Sequence, residues 1–409
     1  MRPTPLQSER VVRVCFYLVV PGFFFYHFLV GKQLIPGLLG GYSSAMAGML
    51  LLPLGILYVK YLLSDRGNRC FMDVAFNVFV LYYTLVLLTQ LAIGSQDTVA
   101  MEQLGVVLQF FTLYWLARLA PLGDPRFQGW LLAFLLLMTG AIAFNADEGT
   151  FVVAALELLQ TTDRLANYQA YAFVYSVVLL VVLAPMRKRW HRLLIYLLCV
   201  PALFLNGART EFIGVVLLIL LLEFLESKHK PATLLATAAL LGLGIAALPW
   251  LAELYPESRT VFLFIDYSDD RSAAERARML GSGWQSIVES PWIGAFASHA
   301  AGEHIHNALS AWVDLGLPGF VFYVGLIAVP ALDLYVLHRP RLRNADYRLA
   351  FSLVFLMALF AIMAKHFTHQ LLPLAAGFYA RHVVSDGRRR PRAGVPHVIV
   401  PSPSPAAAA

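Results

Sequence analysis

The chain has 409 residues, 59% of them apolar and 14% charged, with a formal net charge of +6. A soluble domain carries roughly a quarter charged residues, so too few polar side chains exist here to cover a water-facing surface. The composition excludes an ordinary soluble enzyme. It points instead to a chain that crosses a bilayer many times.

From the N-terminus, Arg13 interrupts the first apolar run and no small-x-small cleavage site follows, so Val14 to Val30 reads as a retained helix rather than a cleaved leader. Apolar segments then recur near 11–31, 41–63, 70–94, 103–120, 129–145, 168–186, 193–207, 210–225, 232–252, 317–337, 347–364 and 370–384. The expectation is an all-α polytopic membrane protein with about twelve transmembrane helices. Cys15, Cys70 and Cys199 lie far apart in apolar segments and read as small buried hydrophobes, not as a disulfide framework or a metal set.

Leu193 to Phe224 needs separate treatment. As one helix, its length would reach about 48 Å, far beyond a hydrocarbon core of about 30 Å. Basic clusters flank it at both ends, Arg187-Lys-Arg-Trp-His-Arg192 before and Lys228-His-Lys230 after. Both belong on the cytoplasmic side, so the segment is a hairpin whose tip is Asn206-Gly-Ala-Arg-Thr-Glu211.

Twelve spans put both termini on one side. With that side inside, inner segments hold 23 Lys+Arg and outer loops 8, and every inner segment carries at least two. Such regularity is the positive-inside pattern, and it accounts for the basic charge without nucleic acid. The resulting organisation is spans one to nine over 1–252, an outer loop over 253–307, spans ten to twelve over 308–386, and a disordered cytoplasmic tail over 387–409, rich in Arg, Pro and Ala.

The outer loop is the anomaly, holding four of the eight outer cations. Ser272-Ala-Ala-Glu275 has capping-box spacing. Ala273, Ala277, Leu280, Trp284, Ile287 and Val288 recur on one face of a helix expected over 273–289, ending before Pro291 and lying on the membrane or across the bundle mouth. On that wheel Arg276 lies at the border of the apolar face and Arg278 points toward water.

Arg209, at the hairpin tip, sits near the outer interface, where a charge is costly and marks a ligand or ion site. Its bland alternative is an ion pair with Glu211. His304-Ile-His306-Asn307 follows the loop helix, and a histidine can exchange a proton near neutral pH, as a general base must. Gly316-Leu-Pro-Gly319 then turns the chain into span ten. Lys365-His-Phe-Thr-His369 adds positive potential from the last outer loop. His299, Glu303, His366 and His369 provide no convincing third ligand beside the paired histidines, and no metal site or cofactor is expected. Arginines converging outside with little acid beside them suit an oligophosphate. No Walker loop or G-x-G-x-x-G is present, so a lipid pyrophosphate fits better than a nucleotide.

The series Asn206-Gly-Ala-Arg209, Ala274-Glu-Arg276, Trp284-Gln-Ser-Ile-Val-Glu-Ser-Pro291-Trp-Ile-Gly294, His306-Asn307-Ala-Leu309 and Gly316-Leu-Pro-Gly319-Phe resembles the O-antigen ligase and O-antigen polymerase superfamily over about 193–330. It departs from the pattern in Asn-Gly-Ala before Arg209, where a Ser-rich stretch is common. The resemblance implies a GT-C-like, metal-independent glycosyltransferase of the bacterial inner membrane, with its active site facing the periplasm. Its donor would be an undecaprenyl-pyrophosphate-linked glycan and its acceptor lipid A-core, making it a ligase; a polymerase would join repeat units instead. By the same match, Arg209 and Arg276 would hold the pyrophosphate, and His306 would take the acceptor's proton with Asn307 in support. Arg278, His304, Lys365 and Arg271 complete the candidate substrate-binding set. A transporter is the contrasting class, usually marked by internal repeats and charged helices at the midplane, whereas the charges here gather at one face.

Overall fold

The computed structural model describes residues 5–37, 41–93, 97–147, 150–151, 167–255, 258, 260–261, 271–296, 305–337, 342 and 344–389. All twelve predicted apolar segments fall on helix. In chain order these are α1 (Pro5–Val19), α2 (Pro21–Gly31), α3 (Tyr42–Ser64), α4 (Phe71–Ile93), α5 (Asp97–Leu119), α6 (Pro125–Phe144) and α7 (Tyr168–Leu183). Then come α8 (Arg189–Asn206), α9 (Arg209–Glu226), α10 (Lys230–Leu254), the loop helix α11 (Arg271–Glu289), α12 (Leu309–Leu332), α13 (Ala345–Met363) and α14 (Leu371–Arg389). Among the described residues, seven stretches are long and apolar enough to cross a membrane: α1 with α2, α3, α4, α6, α10, α12 with its extension, and α13. The protein is a mainly α-helical, multi-pass membrane protein.

Three local features add to the expected pattern. A two-residue antiparallel pair, Ala146–Asp147 with Thr150–Phe151, interrupts the all-α pattern after α6. The first apolar segment is two helices, because Pro21 cannot donate to the preceding turn and the chain breaks at Val20. Helix α14 runs on to Arg389, so 387–389 are helical, while 390–409 lie outside the described residues.

The hairpin expected over 193–224 is present. Helix α8 ends at Gly207, whose φ of +76° is the left-handed cap that glycine adopts without a Cβ penalty, and α9 starts two residues later. Elsewhere glycine permits close packing. A Cβ on Gly377 of α14 would stand 2.7 Å from the Tyr114 carbonyl of α5, so the two helices meet backbone to backbone. Helix α7 is buried on every side from Tyr171 to Leu183 and forms the centre of the bundle, whereas α10 buries no residue and stands at the periphery.

At one end of α4 and α5 lies a closed knot of charge. The Asp73 carboxylate receives the Arg118 guanidinium at 2.8 and 3.0 Å, the Tyr114 and Tyr58 hydroxyls at 2.8 and 3.0 Å, and the Cys70 amide at 2.9 Å. Arg118 also donates to the Asn68 carbonyl at 2.7 Å and lies over the Tyr61 ring. Burying two charges is tolerable when their hydrogen-bonding capacity is so largely used.

Candidate functional site

The site lies at the end of the bundle where the α8–α9 turn, the segment before α12 and the α13–α14 turn meet. Helix α11 is clamped onto the segment 305–313. A Cβ on Gly283 would overlap Ile305 at 2.0 Å, and Ile287, Ile305 and Val313 form a small apolar cluster with Leu309 and Trp312 around them. The buried row of α11 is therefore Met279, Gly283 and Ile287. The expected apolar face is divided: Ile287 packs on the bundle, while Leu280, Trp284, Val288 and Ala277 are exposed. The reason is steric, since glycine at 283 lets the helix approach along a row that hydropathy alone undervalues. The helix also begins at Arg271, so Ser272 is already inside its first turn.

The shift re-aims the arginines. At about 100° per residue, Arg276 falls about 20° from the centre of the packed row, and Arg278 about 140° from it. Arg276 thus shares the face turned to the bundle. Arg278 has a side chain 61% exposed and lies 3.9 Å from Glu275, a solvated pair on the far side. Arg271 contributes the first residue of α11; His304, His299 and Glu303 lie outside the described residues.

Two glycines fix the end of the loop. Gly294 and Gly316 both have positive φ, at 79° and 67°, and a Cβ on Gly316 would sit 2.2 Å from the Trp292 carbonyl. The Ala295 amide donates to the Val313 carbonyl at 2.6 Å, the Leu317 amide to the Pro291 carbonyl at 3.0 Å, and the Trp312 indole to the same carbonyl at 2.9 Å. Gly316 breaks the helical φ/ψ of α12, as its sequence context predicts, and the Tyr82 hydroxyl from α4 donates to the Leu315 carbonyl at 2.8 Å beside the break.

His306 stands half-buried just before that helix. Burial, then the Arg276 guanidinium, the His366 ring and the Lys365 ammonium push its pKa down from the usual value to about 4. The ring is neutral at pH 7, and Arg276, Lys365 and His366 all lie close enough to act on it. Asn307 accepts from the Leu309 amide at 2.9 Å, a turn bond just outside the N-cap residue Ala308 that leads the chain into α12. The segment is stitched to the α13–α14 turn through the Ala308 amide on the Ala361 carbonyl and the Phe367 amide on the Ser310 hydroxyl, at 2.5 and 2.9 Å.

Two carboxylates that sequence reasoning left out of the site lie in it. Glu211, only 1% exposed, pairs with Lys365 at 2.6 Å, and Lys365 also donates to Gln169 at 3.0 Å. Asp314 lies 3.1 Å from His366, whose other ring nitrogen is 2.8 Å from the Thr368 hydroxyl. Both carboxylates are short in sequence from marked positions, two residues after Arg209 and two before Gly316. In the sequence Glu211 reads only as a partner for Arg209, and Asp314 stands alone among apolar neighbours.

The α13–α14 turn is correspondingly less positive than expected. Lys365 is paired with Glu211, which offsets part of its charge. His369 is packed against the rings of Phe173 and Phe360 and accepts the Leu371 amide at 3.2 Å; burial first, then Lys365, holds its pKa well below the usual value. Arg209 opens α9 two residues before Glu211, so the Lys365–Glu211 pair links the hairpin tip to the ground around His306. At the tip, the Asn206 amide is fully buried, with neither polar atom hydrogen-bonded among the described residues.

Against known proteins, residues 194–324 match the family model described as O-antigen ligase. The match spans about a third of the chain, from α8 into α12, and takes in Arg209, Arg276 and His306. Over this stretch the resemblance to the O-antigen ligase superfamily stands. No curated protein matches the chain.

Proposed function

We propose, with the O-antigen ligase match as premise, that the mouth transfers a glycan from an undecaprenyl-pyrophosphate carrier to lipid A-core at the periplasmic face of the bacterial inner membrane. In this reading the chain crosses the membrane twelve times with both termini cytoplasmic, and it works without a metal. The carrying observation is the gathering of Arg276, from the loop helix, and Lys365, from the last turn, around the neutral ring of His306.

The acceptor hydroxyl attacks C1 of the donor sugar in line with the bond to be broken. The C1–oxygen bond breaks, the carrier pyrophosphate leaves with the electron pair, and His306 receives the hydroxyl proton. Configuration at C1 inverts. Negative charge grows on the leaving pyrophosphate, and guanidinium groups held in place beforehand by α9 and α11 stabilise that growth more than they stabilise the bound donor. Arg209, at the N-terminus of α9, adds its charge to the positive end of the helix. Asn307 keeps His306 in register through the turn bond that leads into α12.

A histidine with a pKa near 4 is a weak base, kept so first by burial and then by the same cations that hold the donor. Donor binding relieves the second cause. A pyrophosphate beside Arg276 and Lys365 offsets their field, so the pKa of His306 rises toward the working pH when substrate is in place.

The second reading, a polymerase joining repeat units, uses the same atoms with another acceptor. Polysaccharide gels of a deletion strain separate the two. Loss of a ligase leaves lipid A-core bare, with polymer held on the carrier; loss of a polymerase leaves core bearing a single repeat. Unaltered lipopolysaccharide in the deletion strain refutes both.

A further inference from the structure

The opposite end of the bundle holds a second concentration of charge with a different build. Helices α8 and α9 are 18 residues each, so at about 1.5 Å per residue this end lies about 27 Å from the hairpin tip. Arg192 reaches Glu223 at 2.8 Å and Glu226 at 2.6 Å, and the Tyr196 hydroxyl donates to Glu223 at 3.1 Å. Arg348, from the first turn of α13, also pairs with Glu226 and donates to the Met186 carbonyl at 2.6 Å. These contacts tie α8, α9 and α13 together and form a wall.

In front of the wall is a cavity of about 1420 Å³. Among the described residues, six lysine and arginine side chains line it against three carboxylates, Glu223, Glu226 and Asp346; Arg189 lies 3.4 Å from Glu223 and Arg381 2.9 Å from Asp346. Arg348 is 4% exposed, and its Nε–H has no hydrogen-bond partner among the described residues. A buried donor left unmade is expensive, and an excess of three cations in one enclosure repels itself unless an anion joins it. Leu122, Pro185, Leu225 and Leu342 also line the cavity. It exceeds the usual volume of a small-molecule site, roughly 300–1,000 Å³. Its position at the ends of membrane-crossing helices, on the face that the basic clusters assign to the cytoplasm, places it at headgroup level.

We propose that this cavity binds the phosphate of an anionic phospholipid of the cytoplasmic leaflet, through Arg187, Arg189, Lys228 and the buried Arg348, with the apolar lining receiving the glycerol end of the acyl chains. The mixture of excess positive charge and hydrocarbon matches such a lipid better than a soluble ion, which has no use for the leucines. Each cation near an anionic lipid surface strengthens binding about fivefold. The site is independent of the chemistry at the mouth.

The test uses the full-length protein in nanodiscs of phosphatidylcholine alone or with phosphatidylglycerol. Retained phosphatidylglycerol is counted by native mass spectrometry and thermal stability is followed in parallel. The wild type is expected to retain phosphatidylglycerol and to melt at a higher temperature in its presence. Arg189→Gln combined with Lys228→Gln is expected to lower its affinity about 25-fold, the product of two lost cations. Arg189 has a side chain 62% exposed, so its loss removes only a 3.4 Å surface pair with Glu223, which Arg192 also holds; Arg187→Gln alone, expected to cost about fivefold, is the second variant should the pair fold poorly. Equal retention by wild type and variants, or no preference over phosphatidylcholine, overturns the proposal. So does a stabilisation that inorganic phosphate reproduces in phosphatidylcholine nanodiscs while phosphatidylglycerol adds nothing, which would assign the cavity to a soluble anion.

Discussion

Arg118 and Arg276 are both cations at the edge of the same helical bundle, and they are held in opposite ways. Arg118 is fully buried and shares the Asp73 carboxylate with two tyrosines and an amide. Arg276 is exposed on the bundle-facing side of a loop helix, and among the described residues its field falls on a neutral histidine. The first arrangement spends its charge on holding α4 to α5. The second leaves its field available to something that arrives. The counterion already in place, more than the presence of arginine, separates scaffold from site.

That contrast can be broken by substitution, and the effects should rank. Arg118→Met leaves Asp73 uncompensated and should cost about 3–5 kcal/mol of stability, read as lost yield and melting temperature in detergent. Arg276→Ala should leave melting unchanged while lowering glycan transfer by about 10²–10³-fold, the usual cost of removing one preorganised donor to a developing anion. Arg276→Lys should recover little of that loss, because an ammonium lacks the planar fork. Were Arg276→Ala to unfold the protein, or Arg118→Met to affect transfer alone, the distinction would fail.

The pH dependence sharpens the comparison further. Protonated His306 cannot accept the acceptor's proton, so activity falls as pH falls through its pKa. The acid limb of kcat/KM should therefore lie near 4, and the limb of kcat at a higher pH, because bound donor offsets Arg276 and Lys365. Coincident limbs would mean that the pyrophosphate does not sit beside those cations. The same depressed pKa makes His306 a source of acid lability, since the unfolded imidazole binds a proton near 6.5 and the folded one resists to about 4; stability should decline as pH falls across that window. The smallest effect belongs to Arg278→Ala. Its exposed pair with Glu275 should be worth under about 0.5 kcal/mol, with transfer unchanged within twofold.

Much of the frame was legible in the chain because a bilayer imposes strong rules. Hydropathy located each apolar helix, and length against bilayer thickness required the α8–α9 hairpin that Gly207 closes. What hydropathy cannot distinguish is neighbour from solvent. Helices α7 and α10 are similarly apolar, yet one is buried on every side and the other buries nothing, since lipid and leucine are equivalent surroundings. The site was half legible for a related reason. Arg209, Arg276 and His306 stand out as polar residues in ordered motifs, while Glu211 and Asp314 gain meaning only when folding delivers Lys365 and His366 to them. Helical periodicity misjudged the packed face of α11 because it gives weight to leucine and tryptophan and none to a glycine that lets a neighbour in.

The meeting of Gly294 and Gly316 carries a mechanical consequence. Two strips of main chain touch there without intervening side chains, so the arm bearing Arg276 and the start of the helix that follows His306 are riveted at a common point. Under the proposed function, a sugar pressing on one lever would be felt by the other. Donor grip and acceptor placement would then rise and fall together, and a glycan engaged at only one end would leave the jaws slack.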